Sequence, residues 1–189
     1  RENPCLMRSS AGARAVIFGM IFLLGVIAAG TLPGPTGAAP SGQLPPPSSD
    51  PFYRYSGSLA GFAPGTVLRT RSVPFGYRGA TVPIRSTQML YRTTDQSGAP
   101  SATVATVLRP PVDGPPKLLS YHMAYDALGS RCDPSYTLTG SGTPGEAGTL
   151  EQGVIGGYLA AGYTVVVPDY EGPELEWTLG RQSGYAALD

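Results

Sequence analysis

Charge is scarce in this sequence. Of 189 residues, 14% are Asp, Glu, Lys or Arg, and 13 basic side chains balance 13 acidic ones. No basic stripe is present, which excludes a nucleic-acid partner, because a phosphate-binding surface needs clustered cations. Histidine occurs once, at His122, and cysteine twice, at Cys5 and Cys132. What the chain has in quantity is backbone punctuation, with 26 glycines and 20 prolines, and their placement divides it.

The N-terminal part reads as a targeting segment. Arg8 and Arg14 precede an uncharged apolar run from Ala15 to Ala29, and small residues follow through Thr36-Gly-Ala-Ala39. A basic start, a short apolar core and a small-residue exit make a secretory signal peptide over residues 1–39. The alternative is a membrane anchor over residues 15–32, since a bilayer span takes roughly 20 apolar residues. The first residue is Arg1, and Met7 is the expected start of translation. Residues 40–51 are rich in Pro, Gly and Ser without an apolar period, and are expected to form a disordered or extended linker. A folded domain is expected over 52–189, a length that supports one core.

Within it, Val67–Val73, Ile84–Thr93 and Thr103–Leu108 have the length and β-branched content of strands. Turns are expected at Gly76–Gly79 and Asp95–Gly98, giving an antiparallel opening. Lys117–His122 is a further strand. A helix follows, with Thr149 as N-cap and Gln152 completing a capping box. Val154, Ile155, Tyr158 and Leu159 are placed on its buried face. Gly153, Gly156 and Gly157 weaken it, which suits close packing on a sheet. Gly162 ends it in the left-handed conformation. The run Thr164-Val-Val-Val167 then reads as a strand buried on both faces, stopped by Pro168. Strand, helix and buried strand in succession imply an α/β fold with a mostly parallel sheet, whose chemistry gathers at the carboxyl ends of the strands.

Three stretches together carry a resemblance: Leu118-Leu-Ser-Tyr-His-Met-Ala-Tyr-Asp126, Cys132-Asp-Pro-Ser-Tyr136 and Gly162-Tyr-Thr-Val-Val-Val-Pro-Asp-Tyr-Glu-Gly172. They resemble the secretory lipase family, α/β-hydrolases of the fungal lipase A type, with the likeness running from about residue 50 to 189. The resemblance implies hydrolysis of acylglycerols and smaller esters at a water–lipid interface, by a Ser-His-Asp triad without cofactor or metal. The membrane enters only through the signal segment.

The triad itself is not in this sequence. The nucleophile of such an enzyme sits in a Gly-x-Ser-x-Gly elbow. Ser183 in Gly180-Arg-Gln-Ser-Gly184, Ser58 and Ser141 all lack that spacing. His122 precedes the position where the elbow belongs, whereas the triad histidine follows serine and acid in chain order. His122 is therefore expected as a partly buried residue at a strand end. The chain is expected to be the N-terminal portion of a longer lipase, ending before the elbow and inactive alone.

The resemblance assigns the oxyanion role to Asp126, whose backbone lies where the donor after the third strand belongs. The alternative is that Asp126 only begins a turn. Cys132 resembles a disulfide cysteine with a partner beyond Asp189, and a buried thiol is the other reading. Asp169 precedes the nucleophile position, so it is expected to hold backbone N–H groups of its own turn rather than to serve as triad acid. Glu171 and Glu174 are expected as solvated loop acids. The resulting expectation is a secreted triacylglycerol lipase or carboxylic ester hydrolase. The competing class is a non-catalytic exported or surface-tethered binding protein.

Overall fold

The computed structural model describes residues 43–78, 80–124 and 129–189. The expected signal segment over residues 1–39, with Met7 and Cys5, lies outside the described residues. No helix among the described residues is long and apolar enough to cross a membrane.

The sheet has five strands: β1 (Val67–Tyr77), β2 (Ala80–Thr94), β3 (Pro100–Arg109), β4 (Lys117–Ser120) and β5 (Tyr163–Pro168). Their order is β1-β2-β3-β5-β4. The pairs β1–β2, β2–β3 and β3–β5 are antiparallel, while β4 and β5 run parallel. The expected antiparallel opening is present, but its hairpin is longer than the sequence suggested. β1 continues past Val73 to Tyr77, and Tyr77 pairs with Ala80. Pro74 and Pro83 sit at the break in register between Val73↔Ser86 and Phe75↔Val82. Neither ring can donate to a ladder, so the pairing slips there and resumes beyond. The tight turn places Arg78 at φ 49, the sign that a two-residue hairpin loop demands.

Among the described residues three helices accompany the sheet: α1 (Pro134–Thr137), α2 (Glu146–Ala160) and α3 (Gly180–Leu188). α2 begins one turn earlier than its expected capping box. Gly145 is the N-cap, and Thr149 lies inside the first turn with its hydroxyl donating to the Gly145 carbonyl (3.0 Å). Gln152 is buried and reaches across to the Thr137 carbonyl (3.2 Å) rather than back to a cap. The buried face is Gln152, Ile155 and Leu159. Val154 and Tyr158 are exposed instead. Close packing on the sheet accounts for Gly153, where a Cβ would stand 3.5 Å from the Tyr77 hydroxyl of β1, but not for Gly156 or Gly157, where it would meet open space. Tyr158 instead joins an outer aromatic edge, with ring centroids 6.4 Å from Tyr121 and 5.7 Å from Tyr163. The C-terminal expectation agrees with the structure: Gly162 follows the C-cap Ala161 at φ 85.

Ile155 and Leu159 of α2 pack with Phe75, Leu108, Met123, Leu138, Val165 and Val167 as the main core. A second cluster joins Phe52, Leu90 and Val104. Both use the same sheet face, since Ser86 pairs with Leu108 and Leu90 with Val104. The opposite face is met by α3, where the Tyr91 hydroxyl donates to the Ala186 carbonyl. That cover is partial among the described residues. Leu118 pairs with Thr164, on the side away from Val165, and is 73% exposed. Burial of β5 on both faces thus holds toward Val167 and Pro168 and lapses toward Thr164.

The stretch read as a linker is attached over its described residues. Asp50 is buried, bonds the Phe52 N–H (2.9 Å) and pairs with Arg71 (2.6 Å). Pro47 is buried, and the Leu44 N–H donates to Ser141 Oγ (2.9 Å). Prolines that fix φ lower the entropy lost on docking, so a Pro-rich strand can lie against a domain as well as leave it.

A close backbone crossing fixes one end of this layer. The Gly76 N–H donates to the Leu138 carbonyl (2.8 Å), and a Cβ on Gly76 would stand 2.6 Å from Gly140 Cα. Backbone on both sides cannot yield as a flexible side chain would. Gly76→Ala is expected to destabilise the chain by about 2–3 kcal/mol, read as a lower urea midpoint at unchanged slope.

Candidate active-site rim

The carboxyl ends of the parallel strands are where an α/β sheet presents its chemistry. β5 ends at Pro168, and the Asp169 N–H still bonds the Val104 carbonyl (2.8 Å) of β3. The chain then turns, with Gly172 N–H on the Asp169 carbonyl (3.1 Å) and Gly172 at φ 75. Asp169 is buried. Its carboxylate does not hold its own turn, as expected from sequence. It accepts instead from the Ser135 N–H (2.8 Å) and from Ser135 Oγ (2.5 Å). The two most distinctive stretches, Cys132–Tyr136 and Pro168–Gly172, therefore meet through one serine and one aspartate.

The connection extends further. Ser135 Oγ lies 2.8 Å from the Tyr53 hydroxyl. Because the Ser135 proton is directed to the carboxylate, Tyr53 is the donor of that bond. The Ser135 carbonyl accepts from Gln88 Nε2 (2.5 Å), and Gln88 Oε1 accepts from Arg71 Nε (2.8 Å). Thr103 Oγ1 donates to the Asp169 carbonyl (2.8 Å). All of these groups sit beneath the strand ends, so the network sets the loops' positions rather than facing open solvent.

Two further acids join it. Asp133 and Glu171 are both buried. The expectation that Glu171 is a solvated loop acid is overturned, while Glu174 is exposed as expected. Burial pushes the Asp133 carboxyl up to about 9, with the Asp169 and Glu171 charges adding to the rise. Burial pushes Asp169 up to about 7, opposed by the two bonds from Ser135 and assisted by Glu171. Packed carboxyls that are short of donors hold protons well above the usual carboxylate range. Desolvation and the Asp169 charge also raise the Tyr53 and Tyr91 hydroxyls, with Asp133 adding at Tyr53 and Asp189 at Tyr91. Asp133 and Asp169 also border a cavity of about 400 Å³ shared with Tyr53, Thr103, Gly172 and Leu175.

Asp126 lies outside the described residues, but its flanks are fixed. The Ala124 N–H donates to Glu151 Oε1 (2.9 Å) of α2, and the Met123 carbonyl accepts from the Tyr170 hydroxyl (2.8 Å). On the far side, Ser130–Cys132 forms a 3-10 turn leading directly into α1. Cys132 is buried and is not a free thiol; its partner lies outside the described residues.

His122 is exposed, not partly buried as expected. Its Nε2 lies 3.0 Å from Ser120 Oγ, and its ring centroid is 5.9 Å from that of Tyr170. It shares a cavity of about 340 Å³ with Tyr170, Ser183, Gly184, Ala187 and Leu188. The structure thus gathers His122, Tyr170 and the flanks of Asp126 at one end of the sheet. No cluster of acids, histidines or cysteines among the described residues is arranged to hold a metal ion.

An antiparallel opening, a parallel pair joined by α2, and loops gathered beyond the strand ends define the class as an α/β-hydrolase, present in part. The X-ray structure of Candida antarctica lipase A in its closed state superposes with a TM-score of 0.63 at 31% identity, covering 78% of this chain and 35% of that one. In sequence, Lipase A of Arthroderma benhamiae is 40% identical over 180 residues, 89% of this chain and 38% of its own length. Lipase 4 of Candida albicans is 40% identical over 147 residues, 76% and 32% respectively. A Mycobacterium tuberculosis protein named "probable inactive lipase" is 41% identical over 176 residues, 85% and 40%. The model of the secretory lipase family matches residues 143–189. The likeness of the chain is thus to the secretory lipase family. The chain spans 40% or less of the length of these relatives.

Proposed function

We propose that this chain is the N-terminal portion of a secreted carboxylic ester hydrolase of the triacylglycerol lipase type, exported by a cleaved signal peptide over residues 1–39. The observation that carries the reading is similarity to proteins named lipases across most of this chain, joined to a hydrolase sheet whose carboxyl end holds the Asp126 flanks.

In this reading the ester carbonyl is attacked by a serine in the part of the family's length that this chain does not span. The tetrahedral intermediate places negative charge on the former carbonyl oxygen. A backbone N–H at Asp126 or its neighbour supplies one donor to that oxygen, a contribution worth roughly 10²–10³ in rate. The Glu151 and Tyr170 bonds on Ala124 and Met123 set where the segment begins, and the Ser130–Cys132 turn sets where it ends. Cys132 would secure that turn by a disulfide. Acyl transfer of this kind needs no cofactor.

The second reading, a non-catalytic exported or surface-tethered protein, is favoured by one specific observation. A relative 41% identical to this chain is named an inactive lipase. Reading the gene onward from the codon for Asp189 separates the two. A frame that continues into Gly-x-Ser-x-Gly, an acid and a histidine, with a product that hydrolyses p-nitrophenyl butyrate or tributyrin, supports the lipase. A full-length product that lacks the elbow, or carries it and hydrolyses neither ester, overturns it.

A further inference from the structure

At the other end of the sheet, two arginines face each other with no anion paired to them among the described residues. Arg85 of β2 and Arg109 of β3 are direct partners in the antiparallel register. Their side chains therefore leave the same face, and like charges placed directly opposite are destabilising. Both are exposed, and neither takes part in a salt bridge among the described residues. They border a cleft of about 440 Å³ whose wall also holds Lys117 and Thr164. The Lys117 ammonium donates to the Ala161 carbonyl at the end of α2 (3.1 Å), which fixes it against that wall. One carboxylate, Asp113, also lines the cleft. Against the two arginines stand that single charge and the negative end of the α2 dipole, equivalent to roughly half a charge. The balance stays positive.

The walls are stiff. Pro110, Pro115 and Pro116 hold the loop between β3 and β4, and Gly162 turns the chain beneath it. Thr164 is five residues from Asp169 along β5, about 17 Å at strand rise. A ligand here is therefore separate from the rim described above.

We propose that this cleft binds a phosphate-class oxyanion between Arg85 and Arg109. A tetrahedral dianion relieves the arginine repulsion and can accept a bidentate bond from each guanidinium. Its source is either a free phosphate compound or a phospholipid headgroup. This does not depend on the ester-hydrolase reading and is testable on the chain as it stands.

Titration with inorganic phosphate, at ionic strength matched with chloride, is expected to raise the thermal midpoint. The Arg85→Gln/Arg109→Gln pair is expected to abolish that rise, and Arg109→Gln alone to weaken phosphate binding by about tenfold, the loss of one charge-assisted contact. Asp113→Asn is expected to tighten binding. Sedimentation with phosphatidic acid vesicles against phosphatidylcholine vesicles assigns the source. Vesicle binding that the double variant loses points to a headgroup, and phosphate binding without vesicle binding points to a free compound. If neither probe binds the native chain beyond the chloride control, or the double variant binds as the native chain does, the proposal is overturned.

Discussion

Asp169→Ala is expected to destabilise the chain by about 3 kcal/mol, because it removes the acceptor for two buried donors at once. The Ser135 N–H and Oγ–H both point at this carboxylate, at 2.8 and 2.5 Å, and both residues are buried. A buried donor left without a partner costs about 1–3 kcal/mol, and two are orphaned here. Removal of a costly buried carboxyl offsets part of that loss. Asp169→Asn is expected to cost less, since an amide oxygen still accepts from the Ser135 N–H while the hydroxyl rotates toward the amide group. Ser135→Ala has a distinct signature. The variant keeps the backbone N–H bond and loses the Oγ–H bond, which favours the charged carboxylate, so its loss is expected to be felt more at pH 8 than at pH 5. Urea midpoints of the three variants at both pH values check this. An Asp169→Ala midpoint equal to that of the native chain would mean that the two loops are held by something else.

The two partners of this bond were each visible in the sequence, and their pairing was not. Cys132–Tyr136 and Pro168–Gly172 stand out by composition, but 34 residues separate Ser135 from Asp169. Local turn chemistry was the nearer explanation for Asp169, and it lost to a tertiary bond across the strand ends. Glu171 shows the same limit. An acid between an aromatic and a glycine in a loop is ordinarily solvated, and only the packing of neighbouring segments encloses it. Local features fared better where the backbone alone decides. Gly162 was legible as a helix terminator because a left-handed residue is needed there whatever packs around it. The valine run was legible as a strand because hydrophobic run length and proline punctuation are local.

α2 failed in an instructive way. Helical spacing groups Val154 with Ile155, Tyr158 and Leu159, yet the sheet takes only the narrower stripe containing Ile155 and Leu159. A polar residue, Gln152, completes that stripe because the Thr137 carbonyl is within its reach. Hydrophobicity identifies a side that can be buried. Which rows of that side are buried depends on the angle at which the helix crosses the strands, and no local signal encodes that angle. The expected strands Val67–Val73 and Ile84–Thr93 likewise stop short at Pro74 and Pro83, where the ladder only slips.

Stability is expected to fall as pH rises through the neutral range, the reverse of a domain held by ionised carboxylates. The sign follows from where the protons sit. Asp133 and Asp169 have an ordinary value of 3.8 when exposed, and in the folded chain are raised to about 9 and about 7. Below 3.8 both states carry the protons, and the stabilisation from holding them is fully present. Above it the unfolded chain releases protons that the fold still binds, so stability declines by up to about 1.4 kcal/mol per pH unit for each group. The Asp169 contribution is lost by about pH 7 and that of Asp133 by about pH 9. The charges bearing on the pair are Glu171, which raises both, and Asp169, which raises Asp133; the neutral Ser135 donors lower Asp169. Tyr53, beside Ser135, adds no negative charge in this range, because its hydroxyl is pushed upward. The urea midpoint of the native chain is thus expected to drop from pH 5 to pH 9, and Asp133→Asn to flatten the drop, with its midpoint above the native one by a margin that widens from pH 5 to pH 9. A midpoint that rises between pH 5 and pH 9 would mean that the acids are ionised in the fold. The loops beyond β5 would then be held by charge rather than by shared protons.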